Sequence, residues 1–581
     1  MKKNLSLMLA LVVLVGGVAL LSSCEAPEDS GAEIRVYLGE NVYDFDPTDY
    51  YTNSNADQLM SLIYEPLFTI DEDGDIDYAA AEDYEVDEEK RTIVIELRES
   101  YWSDGIRVKA EDYVYAWRNL LIEPTQANPA AALLYDIDNA LEIKQGAVSI
   151  SEFGARASLF EITINYREGA DYKQLLRNLA SIPTSPVRQD SASQAPTYWS
   201  KNSNTLVTNG PFKISILNYL TGEFVLERNV GYHQAPTTVD YDNEVIPYKL
   251  ISFIASSGDA IEYTYEDVQN KIVFYAADAP IADRNATNEE VVVADDLSTY
   301  SYVFNTNKPL FAIKEVRQAL SMAIDRAVIA KTLVYAKAAD GFLPDNVYQN
   351  CEKALIDANS KFDEAVELLK NVDLTGISKS FKLTVNDDAE SIEMANMVSG
   401  TWNALGFKVT VKTVSDTKVT IKDFSTNSDM ELTDSTLQVM LKEAAYGKAD
   451  FDVIGLDWQM YSSDAFVALC AFTSDMNGNG VDFSSEDASL AIRSNIAGWV
   501  DAEYDALIKE AYNAVDAAVR TEKLQKAEEY LVNSAVVVPI VYNQSFAYVN
   551  EDLSDVTTNG LGNIVLTEAE LDNYQEYLKK D

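Results

Sequence analysis

Apolar and polar side chains alternate along residues 33–38, the period of a half-buried strand. Alternation or a short apolar run returns at 92–97, 212–216, 249–254, 301–305, 381–385, 407–414, 450–454 and 536–542. Helical periods lie between. Leu59, Leu62, Ile63 and Leu67 predict a helix over 57–67. Tyr113, Trp117, Leu120 and Leu121 predict another, with Glu111 and Asp112 in its first turn, where carboxylates suit the positive end of the helix dipole. Val316, Leu320, Ala323, Ile324 and Ala327 predict one long helix over 313–335, and further helices are expected at 392–405 and 521–533. Strands alternating with helices point to α/β layers in the second half, while the first half reads as richer in antiparallel pieces. We find no fixed-period repeat and no long Gly, Ser or Pro linker. The expectation is therefore of interleaved domains, with the chain crossing between them more than once.

The first apolar stretch has a different meaning. Lys2 and Lys3 precede a run from Leu5 to Leu21 that ends in Leu21-Ser22-Ser23-Cys24, the order of a secretory signal closed by a bacterial lipobox. A thiol is needed there to carry the lipid thioether, and small residues before it let the signal peptidase approach. On this reading residues 1–23 are removed, Cys24 is lipidated and 24–32 form a polar tether. The alternative is an uncleaved anchor with an incidental cysteine, for which the run is at the short limit for spanning a bilayer. Either way the rest of the chain is expected to be extracytoplasmic.

At 581 residues the chain is too long for one core, and about two to four domains are expected. Acidic residues number 94 against 45 basic, a net charge of −49, so the basic footprint that phosphate binding needs is absent and nucleic acid is excluded as a partner. Besides Cys24 there are only Cys351 and Cys470, which read equally as a disulfide or as two free thiols. His233 is the single histidine, which argues against metal-binding clusters and against a Ser/His/Asp triad. Residues 71–82 carry acids at calcium-loop spacing, but glycine falls at the wrong position, and a hairpin turn is the better reading. No Walker A loop or dinucleotide fingerprint is present. Carboxylates are abundant, but none sits in a recognisable catalytic arrangement, so an enzyme is not expected, and neither is a cofactor or metal.

Residues 101–118 are the most distinctive stretch: Trp102-Ser103-Asp104-Gly105, then Ala110-Glu111-Asp112-Tyr113-Val114-Tyr115-Ala116-Trp117. Other segments accompany it in order: Asp44-Phe45-Asp46-Pro47, Ile63-Tyr64-Glu65-Pro66-Leu67, Asn209-Gly210-Pro211-Phe212, Glu227-Arg228-Asn229 to Tyr232, Val316-Arg317-Gln318-Ala319-Leu320-Ser321 with Ala323-Ile324-Asp325-Arg326, Trp458, and Val538-Pro539-Ile540. Together they resemble the oligopeptide-binding lipoproteins of ABC importers, the family 5 extracellular solute-binding proteins.

The resemblance implies an α/β, periplasmic-binding-protein-like fold (type II, cluster C), with two α/β lobes around a hinge cleft plus an extra domain. Lobe I would comprise 31–68, 195–305 and 535–575, the extra domain 69–194 and lobe II 306–534. The implied function is capture of oligopeptides for an ABC permease and its ATPase, by a monomer held to the membrane through Cys24. A peptide-sensing surface receptor and a receptor for another solute, such as an oligosaccharide, are the alternatives. Tyr51-Thr52-Asn53-Ser54-Asn55 would line one side of the cleft. Asp457, Trp458, Tyr461 and Asp464 would line the other, together with Tyr542. One departure stands out: where relatives that clamp a peptide's α-ammonium commonly place an aspartate three residues after the tryptophan, this chain has Tyr461, which carries no charge.

Overall fold

The structure, a computed structural model, describes residues 32–39, 44–48, 56–71, 74–122, 128–194, 199–201, 203–218, 223–234, 249–253, 263–284, 291–414, 440, 444, 450–482 and 491–573. Its largest feature is one 11-stranded sheet. In chain order the strands are β1 (Glu33–Tyr37), β2 (Phe212–Asn218), β3 (Glu223–Arg228), β4 (Lys249–Phe253), β5 (Tyr275–Ala277), β6 (Val291–Phe304), β7 (Ala336–Ala338), β8 (Ser380–Asn386), β9 (Lys408–Val414), β10 (Val453–Gln459) and β11 (Val537–Val549). They lie in the order β9-β8-β10-β6-β11-β5-β1-β4-β3-β2, with β7 on β11. The two α/β lobes are the two ends of this sheet. β6 and β11, of 14 and 13 residues, belong to both.

How they do so is visible in the register. The start of β6, Val291 to Asp295, pairs with Tyr548 to Gln544, and its end, Thr299 to Val303, pairs with Tyr542 to Val537. β5 joins β11 at Ala547 to Val549, whereas β10 joins β6 at Ser298 to Phe304. Between the paired stretches β6 advances from Asp295 to Thr299 while β11 advances only from Gln544 to Tyr542, a bulge of two extra residues. Gly562, at φ +83°, packs on this bulge so closely that a Cβ would lie 2.3 Å from the Asp295 carbonyl oxygen.

Several elements differ from the sequence expectation. The long helix over 313–335 is two, Lys314–Met322 and Arg326–Leu333, because Asp325 stops the first and caps the second, accepting from the Val328 N–H at 3.1 Å. The strands expected at 301–305 and 536–542 are the ends of β6 and β11. The helix over 57–67 ends at Ile63, short of Pro66. Strands Phe68–Ile70 and Ile76–Tyr78 pair as an antiparallel hairpin, and the Asp71 carboxylate accepts from the Asp75 N–H at 2.8 Å.

A separate four-stranded antiparallel sheet, Ala81–Asp87, Thr92–Leu97, Glu161–Asn165 and Ala155–Ser158, carries the helix Ala110–Ile122 of the distinctive stretch. Trp102, Tyr113 and Trp117 are all buried. Trp102 Nε1 donates to Asp112 at 3.2 Å, Trp117 Nε1 to the Thr184 carbonyl at 2.9 Å, and the Tyr113 hydroxyl to the Glu65 carbonyl at 3.1 Å. Asn209 accepts from the Glu65 N–H and donates to its carbonyl. Tyr232 and His233 both reach Glu65 Oε1, at 2.6 and 2.8 Å. Gly210 lies where a Cβ would sit 2.5 Å from the Ile63 carbonyl carbon. Four of the segments that carry the family resemblance, at 63–67, 101–118, 209–212 and 227–232, thus converge on one knot that ties the small sheet to the first lobe.

Candidate functional site

Where β10 leaves the crossing strands, the chain reads Asp457-Trp458-Gln459-Met460-Tyr461-Ser462-Ser463-Asp464 and enters the helix Ala465–Cys470. Asp457 Oδ1 accepts from Asn543 Nδ2 at 2.7 Å, and the same amide donates to Ser298 Oγ at 2.7 Å, which in turn donates to Asp296 at 3.1 Å. A polar chain therefore runs through β10, β11 and β6 at the bulge. The Trp458 ring packs on Phe472, with centroids 4.8 Å apart, and on Phe342 at 6.1 Å.

Tyr461 is the centre of a tight turn. Its φ is +56°, a conformation that costs an L residue roughly 1–2 kcal/mol. The Ser462 N–H closes the turn onto the Met460 carbonyl at 2.7 Å. Ser462 Oγ then donates to Asn178 of the extra domain at 2.6 Å, and Tyr348 N–H donates to the Ser463 carbonyl at 2.6 Å.

Asp464, 1% exposed, is fully engaged. Its carboxylate takes two N–H bonds from Arg520, at 3.2 and 3.0 Å, and one from Phe466 at the start of its helix, at 3.1 Å. Burial works against the charge on Arg520, but Asp464, then Asp136, raise its pKa above the ordinary value. The Tyr542 hydroxyl is also taken: it donates to Asp340 Oδ1 at 2.9 Å and accepts from the Gly341 N–H at 2.8 Å. Buried Glu528 holds the same loop, accepting from the N–H groups of Phe342, Leu343 and Cys351. Cys351 and Cys470 are free thiols, and burial pushes the Cys351 thiol up to about 12.

Of the residues read from sequence, Asp457, Trp458, Tyr461, Asp464 and Tyr542 gather around the crossing strands. Tyr51, Asn53, Ser54, Asn55 and Cys24 lie outside the described residues. Asp278, just past β5, is one of the residues lining a cavity of about 20 Å³ with Leu38, Gln58, Ala277, Ser545, Phe546, Asn563 and Ile564. Its Oδ2 is buried and meets no hydrogen-bond partner among the described residues, as is also true of Glu65 Oε2. Among the described residues no His, Cys, Asp and Glu group could hold a metal, and no helix is long and apolar enough to cross a membrane.

Residues 75–480 match the bacterial extracellular solute-binding proteins, family 5, over their middle region. The dipeptide-binding protein DppE of Bacillus subtilis is 23% identical over 555 residues, covering 94% of this chain and 93% of its own. The probable deoxycholate-binding periplasmic protein YgiS of Escherichia coli is 25% identical over 552 residues, covering 92% and 93%. Among solved structures, the pheromone receptor PrgZ superposes with a TM-score of 0.75 at 20% identity, over 93% of this chain and 100% of its own. The match to the family spans well over half of the sequence, and the chain belongs to the family 5 bacterial extracellular solute-binding proteins.

Proposed function

We propose that this protein is the lipid-anchored, extracytoplasmic receptor of an ABC importer, taking oligopeptides between its two lobes and passing them to the permease and its ATPase. The observation that carries the reading is the join between the lobes, two continuous strands with a bulge at their crossing and polar residues gathered beside it. Such a join suits hinge closure around a ligand. Peptides of varied sequence share backbone and termini, so their receptor must meet those and leave side chains to hydrated pockets. In this reading Tyr51, Asn53, Ser54 and Asn55 meet the ligand from lobe I, and Asp457, Trp458 and Tyr461 meet it from lobe II. Asp464 and Tyr542 hold in place the segments that carry the latter. The lobes are divided near the boundaries given above, with β6 and β11 passing between them, and the receptor acts as a monomer.

The names of DppE, for dipeptides, and PrgZ, for which a mode of peptide binding is described, support the ligand class. PrgZ is a pheromone receptor, and that likeness favours a second reading, a peptide sensor at the cell surface. The test is thermal melting of the mature domain against peptides of roughly two to ten residues, oligosaccharides and deoxycholate. A peptide at about 100 times its Kd adds about 2.7 kcal/mol of stability. If only sugars or deoxycholate shift melting, the peptide reading is wrong. Uptake that survives deletion of the partner permease removes the transport role. Cys24→Ser is expected to release the protein from the membrane fraction, and continued anchoring contradicts lipidation.

A further inference from the structure

The strands Ala155–Ser158 and Glu161–Asn165 of the small sheet are joined by a turn of two residues, Leu159 and Phe160, since Ser158 pairs with Glu161. Leu159 stands at φ +54° and is 73% exposed. Glycine or asparagine takes that conformation easily; leucine does not, and hydration of its side chain is a second cost. At this exposure the core gains little from either. Arg107 lies over the Phe160 ring at 3.5 Å and forms a β-bridge with Tyr101, whose N–H donates to the Gly231 carbonyl at 3.0 Å. Ile106 and Val230, next to these contacts, are 44% and 56% exposed. Single exposed apolar residues are ordinary, but three joined in this way make a patch. Charges within two positions of the three balance, Arg107 and Arg228 against Asp104 and Glu161, in a chain whose net charge is −49.

The register of the large sheet places this patch near the end from which the chain is tethered. Val230 follows β3, whose Glu227 pairs with Lys249 of β4, and Lys249 pairs with Glu33 at the start of β1. Two strand spacings, about 10 Å, therefore separate Glu227 from the point where the chain from Cys24 enters the fold. The nine steps from Cys24 to Glu33 span at most about 30 Å. A lipid on Cys24 thus holds a bilayer within reach of the patch. β1, β4 and β5 run parallel from this end toward the crossing strands, so the patch sits at the far end of lobe I from them. Val515, 80% exposed, gives the contrast: it lies beside Gly169, beyond the other end of strand Glu161–Asn165. Resting on the lipid-anchored reading, we propose that Leu159, Phe160, Ile106 and Val230 seat on the lipid surface, with Leu159 and Phe160 entering the headgroup boundary as an apolar tip. Tethering makes effective a contact too weak for a free domain, because it holds the lipid at high local concentration. A receptor seated so carries its crossing strands away from the bilayer.

The experiment uses the full lipoprotein, matured in cells and reconstituted in vesicles of phosphatidylethanolamine and phosphatidylglycerol, with or without brominated acyl chains. An environment-sensitive fluorophore is placed on Ser158→Cys or, as the control, on Val515→Cys; unsubstituted protein supplies the background from Cys351 and Cys470. Bromination is expected to quench the label at 158 by about half or more and to leave that at 515 unchanged. Leu159→Asn keeps the turn, since asparagine is at ease at positive φ, and should abolish most of that quenching with melting unchanged. Equal quenching at both positions, none at 158, or no effect of Leu159→Asn overturns the lipid contact and leaves the anchor standing. Mass spectrometry that finds no lipid on Cys24 overturns the anchored reading, and the seating falls with it. A dimer of the soluble domain that Leu159→Asn dissolves in sedimentation assigns the patch to a second copy and likewise overturns the proposal.

Discussion

On the β10 side of the crossing strands, Asp464 accepts two bonds from Arg520 and one from the Phe466 amide; on the β5 side, Asp278 keeps a buried oxygen that nothing meets. Both are acids in cramped surroundings, yet they differ in what the fold provides. Asp464 has a guanidinium reaching it from 56 residues away, and its charge is used to fix a helix start and to pin the helix Ala517–Ser534. Near Asp278 the guanidinium of Arg284 points its donors elsewhere. Asp464 is thus architecture, while Asp278 keeps an oxygen that the fold leaves unmet, as it does Glu65 Oε2.

The comparison breaks first, and hardest, at Arg520. Arg520→Met strands a buried carboxylate, and a loss of about 3–5 kcal/mol is expected in urea unfolding. A loss under about 1 kcal/mol would mean that Asp464 is not fixed and is open to a ligand. The opposite sign is expected at Asp278. Its carboxyl is raised from 3.8 to about 7 in the folded protein, so its contribution to stability is fully present below pH 4 and is lost as pH rises through 7. Asp278→Asn removes that titration and should gain on the order of 2–4 kcal/mol over wild type at pH 8 relative to pH 4. Parallel pH profiles of the two proteins would reject the burial of this charge.

The smallest expected change is at Tyr461. Tyr461→Asp places a charge at the turn after Trp458 and should widen the preference for free over acetylated amino termini a few-fold, about 1 kcal/mol. An unchanged preference takes Tyr461 out of the site.

Much of the fold could be read from periodicity, and its failures at the crossing strands have one physical origin. The apolar run at 536–542 was visible as a strand, but its continuation through Asn543, Gln544 and Ser545 was not, because those side chains are polar where the strand leaves one core for another. β6 hides its first half in the same way, behind Asp295 and Asp296. A crossing between lobes looks like a turn to any pattern based on burial. The segment at Trp458 was legible through the order of its neighbours. The role of Asp464 was not, since it depends on Arg520, and Asp278 carries no local mark at all. The distinctive stretch 101–118 was legible as an identifier, and its Tyr113 proves to serve the knot around Glu65 while Trp102 and Trp117 bond Asp112 and Thr184.

The two surplus residues of β6 have a mechanical consequence. Ladder bonds on either side of Asp296 to Ser298 belong to different lobes, so a swing of one lobe about this point stretches slack that is already present and need not tear a continuous ladder. Gly562 lies directly on that slack, and any side chain there would wedge it. Were the lobes to swing as proposed, the joint would be a loose stitch under a glycine thumb, its give set as much by the 559–563 turn as by the strands themselves.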